Sequence, residues 1–200
     1  MNTIALKHAN LPGWSRTETR NGREYTVWRV NKIASRLVRR NGGRILLYRD
    51  LPVEARHAIA WYMAIDGEAW DCPKRLDDPW TSRDELITRF KRANRFFVNR
   101  YGNRRFGYVE VTTPRLVEAA WEYRQQPPGR SRFSTFSEYH RWYLSDIDVR
   151  PYSQSVWPVI LNGHSSDEDS GLLEDGWHRF HAYLARGVKT IPCVWYPQRS

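Results

Sequence analysis

Long apolar runs are missing from this chain of 200 residues, and sulfur is sparse, with two cysteines and two methionines. No stretch approaches the run of about 20 apolar residues that a membrane-crossing helix needs, so the sequence predicts no membrane partner. Cys72 and Cys193 allow at most one disulfide, and their separation fits none of the closely spaced ligand sets of structural zinc. A reduced pair of thiols in the cytoplasm is expected. The opening residues MNTIALKHANLPGW lack the basic segment and apolar run of a secretory leader, which fits the same compartment. Also absent are the G-x-S-x-G elbow, the GKT or GKS phosphate loop, and the signatures of helix-turn-helix, zinc-finger and RNP modules.

What the chain has is aromatic and basic. Ten tryptophans, eleven tyrosines and seven phenylalanines supply the bulk of a core and mark a globular protein rather than a disordered one. The net charge of +10 is unevenly spread: residues 1–132 hold 26 basic and 14 acidic side chains, and residues 133–200 hold 6 and 8. Arginine outnumbers lysine 27 to 5. Its planar fork suits bidentate contact with phosphate, although GC-rich coding produces the same bias. This asymmetry points to nucleic acid or an acidic protein as partner; a generically basic, solvated surface has the same composition.

Residues 1–25 show no period and are expected to form an irregular arm. Residues 26–132 are expected to be mostly helical and arginine-rich. Within them Val30, Ile33, Ala34, Leu37 and Val38 make one apolar stripe, with Lys32, Arg36, Arg39 and Arg40 pointing elsewhere. A short strand is predicted over 44–49. A helix follows after Pro52, burying Ala55, Ala58, Ile59, Tyr62 and Met63, with His57 at its boundary. Residues 65–80 are expected to be a solvated acidic loop. The longest helix is expected over 83–101, exposing Arg89, Arg92, Arg95 and Arg100, with Arg104 and Arg105 just beyond; Phe96 lies off its core stripe. These six arginines are the candidate nucleic-acid contacts, since arginine–phosphate contacts give affinity without sequence preference. An ordinary solvated helix face has the same pattern. A strand over 106–112 and a helix from Thr113 precede the proline-rich 125–132, taken either as a hinge or as a surface loop. Residues 133–200 then bring a short aromatic helix near 136–144, a buried strand over 157–161, and its hairpin partner at 171–174.

The stretch from Leu172 to Tyr196, LLEDGWHRFHAYLARGVKTIPCVWY, organises the rest. Its pattern is a strand, a tight turn at Asp175-Gly176, a short helix opened by His178-Arg179 and stopped at Gly187, and a second strand from Thr190. A helix that starts after a glycine aims unpaired N–H groups and its positive dipole end at one spot, which suits an anion. Arg179 in the first turn is placed to close on a phosphate there. The same residues also fit a purely structural unit, with Asp175 as N-cap, Trp177, Phe180 and Tyr183 in the core, and Arg179 in solvent. Ser153 and Ser155 stand before the preceding strand, where they can reach a phosphate or ribose or simply close their own turns. Glu174 and Asp175 offer oxygens to magnesium beside a triphosphate. His178 and His181, three apart, have no third ligand, which excludes zinc.

The run Asp175-Gly176-Trp177-His178-Arg179, with Ala182, Gly187 and Ile191-Pro192, resembles the DG-x-HR…A…G…IP pattern of the ParB/sulfiredoxin superfamily, over about residues 157–195. The resemblance implies an α+β fold, a small mixed sheet with packed helices preceded by the mostly helical basic region. It implies a nucleoside triphosphate, ATP or CTP with magnesium, bound at Gly176, Trp177, His178 and Arg179 with Ser153 and Ser155. Asp175, His178 and Glu174 take the catalytic roles, and Asp175 that of metal ligand. Two departures narrow it. Trp177 stands where sulfiredoxin carries cysteine, which disfavours sulfinic acid reduction, and the arginine-rich box of the ParB partition clamps is absent. Nucleotide hydrolysis and ParB-like nuclease activity remain within the resemblance. So does a non-enzymatic plasmid- or phage-type regulator or inhibitor that binds DNA or an acidic protein.

Overall fold

A computed structural model describes residues 15–65, 91, 94–95, 97–100, 102–122, 133–146, 157–163 and 171–195. The elements are strands β1 (Ser15–Arg20) and β2 (Arg23–Trp28), helix α1 (Val30–Arg40), strand β3 (Arg44–Leu47), helix α2 (Val53–Ile65) and strand β4 (Arg105–Thr112). Helices α3 (Thr113–Glu122) and α4 (Phe136–Asp146), strands β5 (Val159–Leu161) and β6 (Leu173–Asp175), helix α5 (Trp177–Ala185) and strand β7 (Thr190–Trp195) follow. Residues 91, 94–95 and 97–100 are helical as well.

Five strands form one mixed sheet in the order β3-β4-β7-β5-β6, with β5 parallel to β7 and the other neighbours antiparallel. The α+β class is therefore as expected. The strands of this sheet come from both residues 26–132 and residues 133–200. β3 and β4 come from the first stretch, β5 to β7 from the second, and β4 pairs with β7 from Gly107↔Trp195 to Thr112↔Thr190. Both stretches therefore build one sheet.

The strands alternate faces with period two, and each face carries its own core. On one face Val109, Val111, Val159, Leu161, Leu173, Ile191 and Cys193 meet the apolar sides of α1, α3 and α5. On the other, Phe106, Ile160 and Val194 meet Tyr48, Ile59 and Tyr62, together with Phe97 of the helical segment. The predicted stripe of α1 is buried throughout, and each such branched side chain taken from water contributes roughly 1.5–3 kcal/mol. Gly107 allows a close approach in this layer. A Cβ there would stand 3.1 Å from a Val38 methyl and 3.2 Å from the Trp195 ring.

Residues 15–25 of the expected irregular arm instead belong to a hairpin, in which β1 and β2 pair from Ser15↔Trp28 to Arg20↔Arg23; residues 1–14 lie outside the described residues. Asn21 and Gly22 close it at φ 50° and 71°, the left-handed pair that a type I′ loop requires. The helix then begins at Val30. The acidic loop from Asp66 onwards, the proline-rich 125–132, Cys72, Phe96, Arg89, Arg92, Ser153 and Ser155 lie outside the described residues. No described helix is long and apolar enough to cross a membrane.

Candidate functional site

The Asp175-Gly176 turn sits where β6 hands over to α5. Gly176 is the N-cap, at φ 94° and ψ 24°, and no side chain caps the helix. This corrects the assignment of that role to Asp175, which remains in the strand. The cause is the left-handed backbone of Gly176, which L-residues adopt only at a cost and which turns the chain one residue later than a capping aspartate would. The backbone amides of Trp177, His178 and Arg179 therefore occupy the first turn with the positive end of the helix dipole beside them.

Arg179 is not a solvated charge. It is 6% exposed, and its Nη2 donates to Asp175 Oδ2 at 2.8 Å, four residues back at the end of β6. The guanidinium lies against Gly176 so closely that a Cβ there would meet Nη2 at 2.7 Å, Nε at 3.0 Å and Cζ at 3.1 Å. Nε is buried with no hydrogen-bond partner among the described residues. A buried cation with one partner and a spare donor is costly by itself, and an anion at the helix start would relieve that cost.

Glu174 and Asp175 are not brought together. As successive strand residues they face opposite sides of the sheet. Asp175 meets Arg179 on α5, whereas Glu174 Oε1 accepts a hydrogen bond from the Tyr62 hydroxyl of α2 at 2.8 Å. The carboxylate pair expected to hold magnesium is thus divided, and no group of three His, Cys, Asp or Glu suited to a metal occurs among the described residues. His178 is exposed on the first turn, edge-on to Tyr143 at 5.5 Å between ring centroids.

His181 turns the other way. It is fully buried, and its ring lies 3.9 Å from that of Tyr143 at 9°. Its Nδ1 is 2.7 Å from His140 Nδ1. One ring must donate and the other accept, so both cannot be imidazolium and keep this bond. Burial lowers the pKa of His140, and burial, helped by Tyr139, pushes the Tyr143 phenol up to about 12. Phe136, Tyr139, Trp177 and Phe180 close an aromatic layer around the pair. Sequence spacing compared His181 with His178 and missed His140, which lies on another helix. The start of α4 did carry a signal: Thr135 and Glu138 form a reciprocal capping box, worth about 1 kcal/mol.

Of the arginines expected to face nucleic acid, Arg95, Arg100 and Arg105 are exposed and Arg104 is half-buried. Phe97 beside them is fully buried in the core. Comparison with family models, with curated proteins and with solved structures finds no match.

Proposed function

We propose that the chain is a cytoplasmic nucleotide-binding protein of the ParB/sulfiredoxin type, taking ATP or CTP at the Asp175-Gly176 turn. The observation that carries this reading is the Arg179 guanidinium, buried against Gly176 with Nε lacking a partner among the described residues. The amides of Trp177, His178 and Arg179 receive a phosphate, Arg179 supplies its countercharge, and exposed His178 donates to a phosphate oxygen. Asp175 is a positioning residue that fixes Arg179. Among the described residues it is also the one carboxylate at the turn, and magnesium arrives on the nucleotide phosphates. Electrostatic stabilisation of a transferring phosphoryl group is most of what hydrolysis needs, so phosphate release belongs in the same assay.

Thermal unfolding with ATP, CTP, GTP and UTP, each with and without magnesium, tests the reading. A ligand at a hundred times its Kd stabilises by about 2.7 kcal/mol, which raises the melting temperature of a chain this long by roughly 5–10 °C. A rise for one nucleotide that is lost in Arg179→Lys supports the site. No rise with any nucleotide at millimolar concentration refutes it.

The exposed Arg95, Arg100 and Arg105 favour a second reading, a non-enzymatic plasmid- or phage-type regulator that binds DNA or an acidic protein. DNA binding through that face weakens steeply with salt, whereas a contact built on buried aromatic anchors changes less.

A further inference from the structure

A cavity of about 560 Å³ lies along α1, away from the Asp175-Gly176 turn, and its lining includes Lys32, Arg36, Arg39 and Arg40 with Trp195 of β7. Among the described residues four cations and no carboxylate line it. From Lys32 to Arg40 the helix rises about 12 Å, so the row matches several phosphates in sequence better than one. Arg105 stands next to Gly107 on the same face of β4, and Gly107 pairs with Trp195.

Trp195 gives the cavity its selectivity. Its ring is half-buried and packs across Gly107, where any side chain would push it away. Its indole Nε1 is buried with no hydrogen-bond partner among the described residues. Leucine or phenylalanine would pack there without that unpaired donor. The fold thus tolerates an unpaired N–H in return for a large π surface beside a row of cations. That combination is what unpaired bases and their phosphates require. A duplex keeps its bases stacked inside and has no use for a recessed ring.

We propose that this basic cleft between α1 and Trp195 binds single-stranded nucleic acid, the α1 cations on successive phosphates and the Trp195 ring against an unpaired base. The site is independent of the nucleotide reading, since no residue of the turn lines it.

Fluorescence anisotropy with a labelled deoxythymidine oligonucleotide tests it, with a duplex of equal length and CTP as competitors. Each single-strand phosphate contact contributes about −0.7 to the slope of log K against log salt. The triple variant Lys32→Gln/Arg39→Gln/Arg40→Gln, altered only on the helix surface, should lose about 2 from the magnitude of that slope. Trp195→Leu should weaken binding about tenfold, and Trp195→Phe should retain most of it. Circular dichroism checks folding; if Trp195→Leu is unfolded, the triple variant and Trp195→Phe decide. Equal affinity for duplex, displacement of the oligonucleotide by equimolar CTP, or absence of binding at low salt would overturn the proposal. So would a triple variant that binds with the wild-type slope, or a folded Trp195→Leu that binds like wild type.

Discussion

Replacing Gly176 by alanine places one methyl group against the buried Arg179, and its cost can be separated into two parts. The first is backbone: at φ 94° an L-residue costs about 1–2 kcal/mol, offset by about 0.4–1 kcal/mol from the stiffer unfolded chain. The second is the clash, since the new Cβ would sit 2.7 Å from Nη2 and 3.0 Å from Nε. The guanidinium must then leave its place beside Asp175, which weakens a largely buried ion pair and disturbs a buried cation. Allowing about 1–2 kcal/mol for that displacement, Gly176→Ala should destabilise by about 1–3.5 kcal/mol in all. For a chain of this length that lowers the melting temperature by roughly 2–14 °C. The clash part has a signature in a double-mutant cycle. With Arg179→Met no guanidinium meets the methyl, so Gly176→Ala should cost only its backbone part, and the coupling should be about 1–2 kcal/mol. Urea unfolding of the four proteins measures it. A coupling within about 0.5 kcal/mol of zero would show that Arg179 does not rest on Gly176.

Three further outcomes follow from side-chain partners. Tyr62→Phe removes the hydroxyl that meets Glu174 and should cost about 1–3 kcal/mol in urea unfolding, while leaving nucleotide-dependent melting shifts unchanged; a lost shift would return Glu174 to the site. The pKa of His140 is lowered in the fold by burial, so below the ordinary imidazole value near 6.5 the unfolded chain takes up a proton that the folded chain resists. Stability should thus be full above about pH 6.5 and fall as the pH drops below it, with a smaller fall in His140→Asn; an equal fall in both proteins would locate the dependence elsewhere. Cys193 is fully buried and its thiol is pushed up by burial, so iodoacetamide should label it only in denaturant, as peptide mass mapping would report; rapid labelling of the native protein would contradict its place in the core.

The elements that were legible in sequence are those with a strong local period. The stripe of α1, the buried side of α2, the strand β4 and the β6-turn-α5-β7 unit all follow from apolar spacing and glycine punctuation. The β1–β2 hairpin was missed because its strands, SRTETR and REYTVW, show no clear apolar alternation, although Asn21-Gly22 was a sufficient turn signal. In sequence Asp175 resembles a cap, because a following glycine marks a turn as readily as it marks an N-cap. The left-handed φ of Gly176 moves the helix start and frees the aspartate for Arg179. Contacts between distant segments left no trace in sequence: Tyr62 meets Glu174 across 112 positions, and His140 meets His181 across 41. The division of Glu174 from Asp175 is a consequence of strand pleat, and adjacency in sequence pointed the opposite way. Trp195 was recognised as a strand residue, but its place beside the α1 cations depends on β4 and β7 lying side by side.

The central claim, that the start of α5 holds a phosphate, is tested most directly by the backbone amide resonances of Trp177, His178 and Arg179 during titration with ATP or CTP and magnesium. The account predicts that these three amides shift first and together, with Arg179 Nε following, and that the shifts vanish in Arg179→Lys. Amides that stay fixed while residues of α1 move would place the nucleotide in the other cleft and contradict the claim.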